Sequence, residues 1–171
     1  MSSLNLLLSR GWVQLVKSFR YLSMPMRWRL ARVAAAVLWF AVPKRRHVIL
    51  RNLELCFPEL SRTERESLAK RVYVRLARAA IDHGTLWCGS AEDVRSLVHF
   101  HGIEHLLNPE NRPVIVVSPH FAGLDAAGIA LNTYVRGVSL YQTQSNPVWD
   151  EALLKGCLLY TSDAADEEDS V

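Results

Sequence analysis

Two side chains in this sequence have the types and spacing for proton-transfer chemistry: His120 and, five residues later, Asp125. A neutral imidazole can take a proton from a hydroxyl. A carboxylate on its other ring nitrogen fixes the tautomer and stabilises the imidazolium that forms. The nucleophile need not belong to the protein, because an acceptor alcohol can play that part. No G-x-S-x-G elbow occurs to supply a serine. Alone, H-x-x-x-x-D is a weak pattern, and a structural histidine accounts for most lone matches. Its setting adds weight. The pair follows the run 113–118 (Pro-Val-Ile-Val-Val-Ser), whose unbroken β-branched character reads as a strand buried on both faces. Open α/β sheets place their sites at the carboxyl ends of such strands. Gly123 lies in the turn between the two residues and lets the carboxylate fold back onto the ring.

The elements that must position this pair follow from pattern. A helix is expected over 123–134, and further short strands over 98–101 and 138–142. Ser61-Arg62-Thr63-Glu64 has the form of a capping box, and the helix it opens should run to about Trp87. Leu68, Val72, Leu76 and Ala79 or Ala80 form its expected buried stripe, with Arg65, Lys70, Arg71, Arg75 and Arg78 on the solvated face. Helices alternating with buried strands argue for an α/β fold with a largely parallel sheet flanked by helices.

The N-terminal third differs in character. Residues 1–53 hold ten Lys/Arg and no Asp or Glu, although the whole chain carries only +3. Over 8–22 the pattern is helical, with Leu8, Trp12, Leu15, Val16, Phe19 and Leu22 on one face and Arg10, Lys17 and Arg20 on the other. That layout suits a helix lying in a bilayer interface, with packing on the protein's own core as the plainer alternative. The apolar run 33–42 ends at Pro43 and is too short for a span, which needs about 20 apolar residues. A tilted or re-entrant helix is one reading of it, and Lys44, Arg45 and Arg46 would hold that end on the cytoplasmic side. An anionic membrane surface fits this basic, apolar stretch better than nucleic acid, whose binding arms are usually polar.

Several segments, in order, carry a resemblance to a known family. They are the apolar–basic N-terminus ending Lys44-Arg45-Arg46; Arg51-Asn52-Leu53-Glu54-Leu55-Cys56-Phe57-Pro58-Glu59-Leu60; Phe100-His101-Gly102-Ile103-Glu104-His105-Leu106; the H-x-x-x-x-D block; and Tyr141-Gln142-Thr143-Gln144-Ser145-Asn146-Pro147-Val148-Trp149-Asp150. Over residues 5–156 the sequence resembles the lipid A lauroyl/myristoyl acyltransferases, within the larger lysophospholipid and glycerol-phosphate acyltransferase superfamily. Asp125 stands where many members have glutamate, and Gln142 where many have a basic residue.

The resemblance implies a glycerol-phosphate acyltransferase-like fold and an enzyme needing no cofactor or metal. It would move a fatty acyl chain from acyl carrier protein to a hydroxyl of a lipid A precursor, at the cytoplasmic face of the bacterial inner membrane. His120 would be the base and Asp125 its orienting partner, with Gly123, Tyr141, Gln142, Asn146 and Asp150 shaping the acceptor pocket. It further implies membrane-associated helices over 1–46 and the first part of the acyltransferase domain over 47–156. Residues 157–171 resemble translated sequencing adapter, so a non-native tail and a fragment inactive by itself are expected. The runner-up readings are acyl transfer to a lysophospholipid or glycerol phosphate, and a membrane-surface module without chemistry. His99, His101 and His105 lack an acid or thiol to complete a metal site, and His47 and His83 read as surface residues. Cys56, Cys88 and Cys157 form no C-x-x-C pair and read as buried thiols.

Overall fold

A computed structural model of the chain describes residues 3–108, 110, 113–138 and 142–158. Every regular element among them is a helix: α1 (Ser3–Ser18), α2 (Met24–Ala41), α3 (Pro43–Cys56), α4 (Arg62–Cys88), α5 (Ala91–Leu97), α6 (Ile103–Leu107), α7 (Leu124–Asn132) and α8 (Pro147–Leu158), with a 3-10 turn at Phe19–Tyr21. The chain divides into two compact units. One comprises Met1–Arg20 with His83–Val171, and the other Tyr21–Asp82.

The expected parallel sheet is not formed. The run 113–118 has no regular structure and joins no ladder, and Ile115 and Val117 are 90% and 88% exposed. Residues 98–101 form no strand either; Val98 is extended, but it and Phe100 pack against a helical core. Of the expected strand 138–142, residues 139–141 lie outside the described residues, and Val138 is fully exposed. β-Branched side chains favour an extended backbone, but a strand persists only when a neighbour takes up its N–H and C=O groups. No segment among the described residues does so for 113–118.

The N-terminal membrane helices also require correction. No helix among the described residues is long and apolar enough to cross a membrane. Helix α2 extends the apolar run back to Met24 and thereby takes in Arg27, Arg29 and Arg32. Pro43 both ends α2 and opens α3, where its missing N–H costs nothing.

In the unit Tyr21–Asp82, α2 and α4 meet through small residues. Ala31 and Ala35 of α2 are buried, as are Ala69, Tyr73, Ala77 and Ile81 of α4. The buried stripe of α4 is therefore rotated by one residue from the expected Leu68–Val72–Leu76 line, and Leu76 is exposed. Alanines let two backbones approach closely where leucines would hold them apart. Trp39 closes this seam with its ring edge-on to Tyr73, centroids 5.5 Å apart. The capping box forms as expected: Ser61 N donates to Glu64 Oε2 at 2.8 Å, and Glu64 N donates to Ser61 Oγ at 3.3 Å. The Ser61 hydroxyl, which donates to Glu64 Oε2 at 2.6 Å, and after it Ser61 N hold the Glu64 carboxyl below its ordinary value. Arg78 is buried rather than solvated. Its Nε lies 2.8 Å from Asp82 Oδ2, while Arg27 Nη1 donates to Asp82 Oδ1 at 3.2 Å.

In the other unit, Val13 and Val16 of α1, Leu86 and Trp87 of α4, Val94 of α5, Ile129 and Ala130 of α7 and Ala152 of α8 form the core. Gly84 allows a close backbone approach here, because a Cβ on it would meet the Val16 carbonyl oxygen at 2.4 Å. Arg20 Nη1 donates to the carbonyl of Cys88 at 2.8 Å, satisfying a free acceptor at the end of α4. A second capping box, Ser90 with Asp93, opens α5. Arg95 of α5 binds Thr133 through Nε at 2.9 Å and lies over the Tyr134 ring. Cys56 is exposed and Cys88 half-buried, so neither is the fully buried thiol expected.

The Arg27–Asp82–Arg78 trio yields a prediction. Both arginine side chains are under one-tenth exposed and that of Asp82 is 16% exposed, so removing the acid strands two cations in a dry seam. Asp82→Ala should cost ~3–5 kcal/mol in urea unfolding, the range for breaking a buried pair from one side. A loss below about 1 kcal/mol is the scale of a solvent-screened pair and would contradict this account.

Candidate active site around Asp125

Asp125 sits in the first turn of α7, where the free N–H groups of a helix start favour a carboxylate. Its Oδ2 is 3.2 Å from His83 Nε2 on α4. The His83 side chain is 18% exposed and that of Asp125 60%. The imidazole is thus held in the protein while the carboxylate faces water. Trp87, one turn further along α4, lies edge-on to the His83 ring with centroids 5.1 Å apart, and edge-on to Trp149 of α8 at 6.0 Å. His83 was expected at the surface. The signal that distinguishes it is its position four residues before a tryptophan on one helical face.

The hydrogen bond from His83 is the main reason the Asp125 carboxyl lies below its ordinary value, and the charges of His83 and then His120 lower it further. Partial burial opposes them. His120 itself is exposed, on the irregular segment leading into α7. It makes no hydrogen bond to Asp125; the bonded imidazole is that of His83. Asp125 Oδ1 accepts no hydrogen bond among the described residues, so one carboxylate oxygen stays open. Gly123 serves the turn by its size: a Cβ there would come within 3.1 Å of the Phe121 ring.

The other expected pocket residues divide. Tyr141 lies outside the described residues. Gln142 is exposed, and its carbonyl accepts from Gln144 Nε2 at 3.3 Å. Asn146 and Asp150 are brought together at the start of α8. Asn146 Oδ1 accepts from Val148 N at 3.0 Å, and its Nδ2 donates to Ser9 Oγ of α1 at 2.8 Å. Asp150 Oδ1 accepts from Gln144 N at 2.6 Å. These polar groups organise the α8 entry and its seam with α1. No three His, Cys, Asp or Glu side chains converge as a metal site among the described residues.

The arrangement can therefore hold a carboxylate ionised beside two imidazoles, one bonded and one on a solvent-facing segment. Comparison with known proteins adds the chemical context. A family model described as bacterial lipid A biosynthesis acyltransferase matches residues 3–156. A lipid A biosynthesis acyltransferase from Haemophilus influenzae is 26% identical over 126 residues, covering 74% of this chain and 40% of that protein. A lipid A biosynthesis lauroyltransferase from Escherichia coli is 25% identical over 128 residues, covering 74% of this chain and 42% of that protein. A lipid A biosynthesis palmitoleoyltransferase from the same organism is 31% identical over 116 residues, covering 66% and 38% respectively. The chain spans about two-fifths of the length of these relatives. No solved structure matches it.

The Asp125 carboxyl should titrate below its ordinary 3.8. A group whose folded value is depressed adds stability above the unfolded value, and that contribution fades as pH falls through the folded one. Carbon-detected NMR of the side-chain carboxyl should report the low midpoint, and His83→Ala should move it up toward 3.8. An unchanged midpoint in that variant would remove His83 as the cause.

Proposed function

Because this chain belongs to the bacterial lipid A biosynthesis acyltransferase family, we propose that it serves transfer of a fatty acyl chain from an acyl carrier protein thioester to a hydroxyl of a lipid A precursor. The observation that carries this reading is the family match across residues 3–156, which include the whole H-x-x-x-x-D block. His120 acts as the general base. It takes the proton of the acceptor hydroxyl as that oxygen attacks the thioester carbonyl. The new ester forms, the carbon–sulfur bond breaks, and the imidazolium returns its proton to the departing thiolate. Asp125 steadies that imidazolium through Oδ1, the oxygen that His83 leaves open. Gly123, Tyr141, Gln142, Asn146 and Asp150 border the acceptor.

The same reading puts the protein at an anionic lipid surface, the cytoplasmic face of the inner membrane. Support comes from α1, whose Leu4, Leu8, Trp12 and Leu15 are exposed while Val13 and Val16 turn into the core. An exposed apolar stripe on a helix whose other face carries Arg10 and Lys17 is what an interfacial helix needs.

Two outcomes are expected. In a protein of the relatives' full length that carries residues 3–156, His120→Ala should lower transfer of labelled acyl chain to a lipid A precursor by at least ~10²-fold. Asp125→Asn should also be severe, and Asp125→Glu should retain activity. A folded His120→Ala protein with full activity would sink the mechanism and favour a module without chemistry. Separately, the 171-residue chain should bind phosphatidylglycerol vesicles more tightly than phosphatidylcholine vesicles, with the difference shrinking as salt rises. Trp12→Ser should weaken both. Equal binding to the two lipids at low salt would remove the electrostatic part.

A further inference from the structure

The unit Tyr21–Asp82 is strongly basic, with thirteen Lys/Arg against five Asp/Glu. Its acids are largely engaged internally: Glu54 with Arg51, Glu66 with Arg62, Asp82 with Arg27 and Arg78, and Glu64 with Ser61. Arg32 and Lys70 pair with no acid among the described residues. These two cations border a pocket of about 250 Å³ between α2 and α4, whose walls include Ala36, Trp39, Phe40 and Tyr73. Phe40 is 77% exposed at its edge. Trp39 is flanked by cations, with Arg46 at 5.3 Å and Lys70 at 5.5 Å from its ring centroid.

Tyr73 supplies an independent observation. The residue is only 6% exposed, yet its buried hydroxyl has no hydrogen-bond partner among the described residues. A buried hydroxyl left unmatched costs about 1–3 kcal/mol. An acceptor oxygen arriving with a ligand would supply the missing bond.

We infer that this pocket is a one-to-one site for an anionic phospholipid. The phosphate lies between Arg32 and Lys70, the first carbons of one acyl chain lie against Ala36, Trp39 and Phe40, and a glycerol ester oxygen accepts from Tyr73 Oη. The size agrees with partial entry of this kind. Whole drug-sized ligands occupy roughly 300–1,000 Å³, so a pocket of about 250 Å³ takes the start of a chain and leaves the rest in the bilayer. Charge selects the head group, because two unpaired cations on an apolar rim favour a phosphate whose charge no choline offsets. The inference deepens the membrane reading above and rests on it for the source of lipid. It differs in requiring a saturable site that exists without a bilayer.

The test uses the 171-residue chain with dihexanoyl-phosphatidylglycerol kept below its micelle concentration, followed by the Trp39 indole N–H resonance and by calorimetry. Saturable binding with a stoichiometry near one is expected. Dihexanoyl-phosphatidylcholine should bind at least about tenfold more weakly. Arg32→Gln with Lys70→Gln should lose about tenfold in affinity and Tyr73→Phe about threefold, the scale of one hydrogen bond. Ala36→Trp fills the pocket from its exposed side and should abolish the Trp39 response. Three results would overturn the site: equal affinity for the two lipids, an unaltered response in Ala36→Trp, or the same resonance shifts with inorganic phosphate alone. Vesicle binding that ignores these substitutions would leave the surface reading standing and remove the pocket. Monomer binding without vesicle binding would do the reverse.

Discussion

Trp87 is the contact on which the candidate site depends. Its indole is buried and packs T-shaped against both the His83 and the Trp149 rings, and α8 passes so close that a Cβ on Gly156 would lie 2.4 Å from it. One large, rigid side chain thus fixes both the helix carrying the imidazole and the helix carrying Asn146 and Asp150. An aromatic serves this purpose better than an aliphatic residue, because its flat ring presents large area in few rotamers and prefers edge-to-face neighbours. The His83 ring, held by that contact, then holds the carboxylate of Asp125.

The chemistry of the carboxylate follows from this order of support. Asp125 is fixed through one oxygen and open at the other, and it faces solvent at the start of a helix. Such a group stays ionised at neutral pH, as a partner for an imidazolium must. The proposed base sits on the one long described segment that lacks regular structure, whereas its partner sits on a helix.

In the other unit, small residues and cations have distinct tasks. Alanines at 31, 35, 69 and 77 are buried along α2 and α4, and the buried Arg27 and Arg78 share the single carboxylate of Asp82. The remaining cations are stacked on Trp28 and Trp39 or left at the surface. Basic side chains resting on tryptophan faces keep their charge outward, away from the apolar seam.

Local rules were enough to read much of this from sequence. The Ser61–Glu64 box and Pro43 punctuate α3 and α4 as their backbone chemistry requires, and the helix carrying Asp125 falls where periodicity puts it. The family, too, was legible, because its motifs are ordered strings of residue types. What only the tertiary structure decided depends on neighbours distant in the chain. The β-branched run 113–118 resembles a buried strand in composition, yet composition cannot supply the second strand that its N–H and C=O groups need. The α4 stripe is rotated by one residue, with Ala69, Tyr73, Ala77 and Ile81 buried and Leu76 exposed. Asp125 bonds His83, forty-two residues away, and not the nearer His120. Sequence spacing sets which residues can be close, whereas the packing of Trp87 set which imidazole was held in reach.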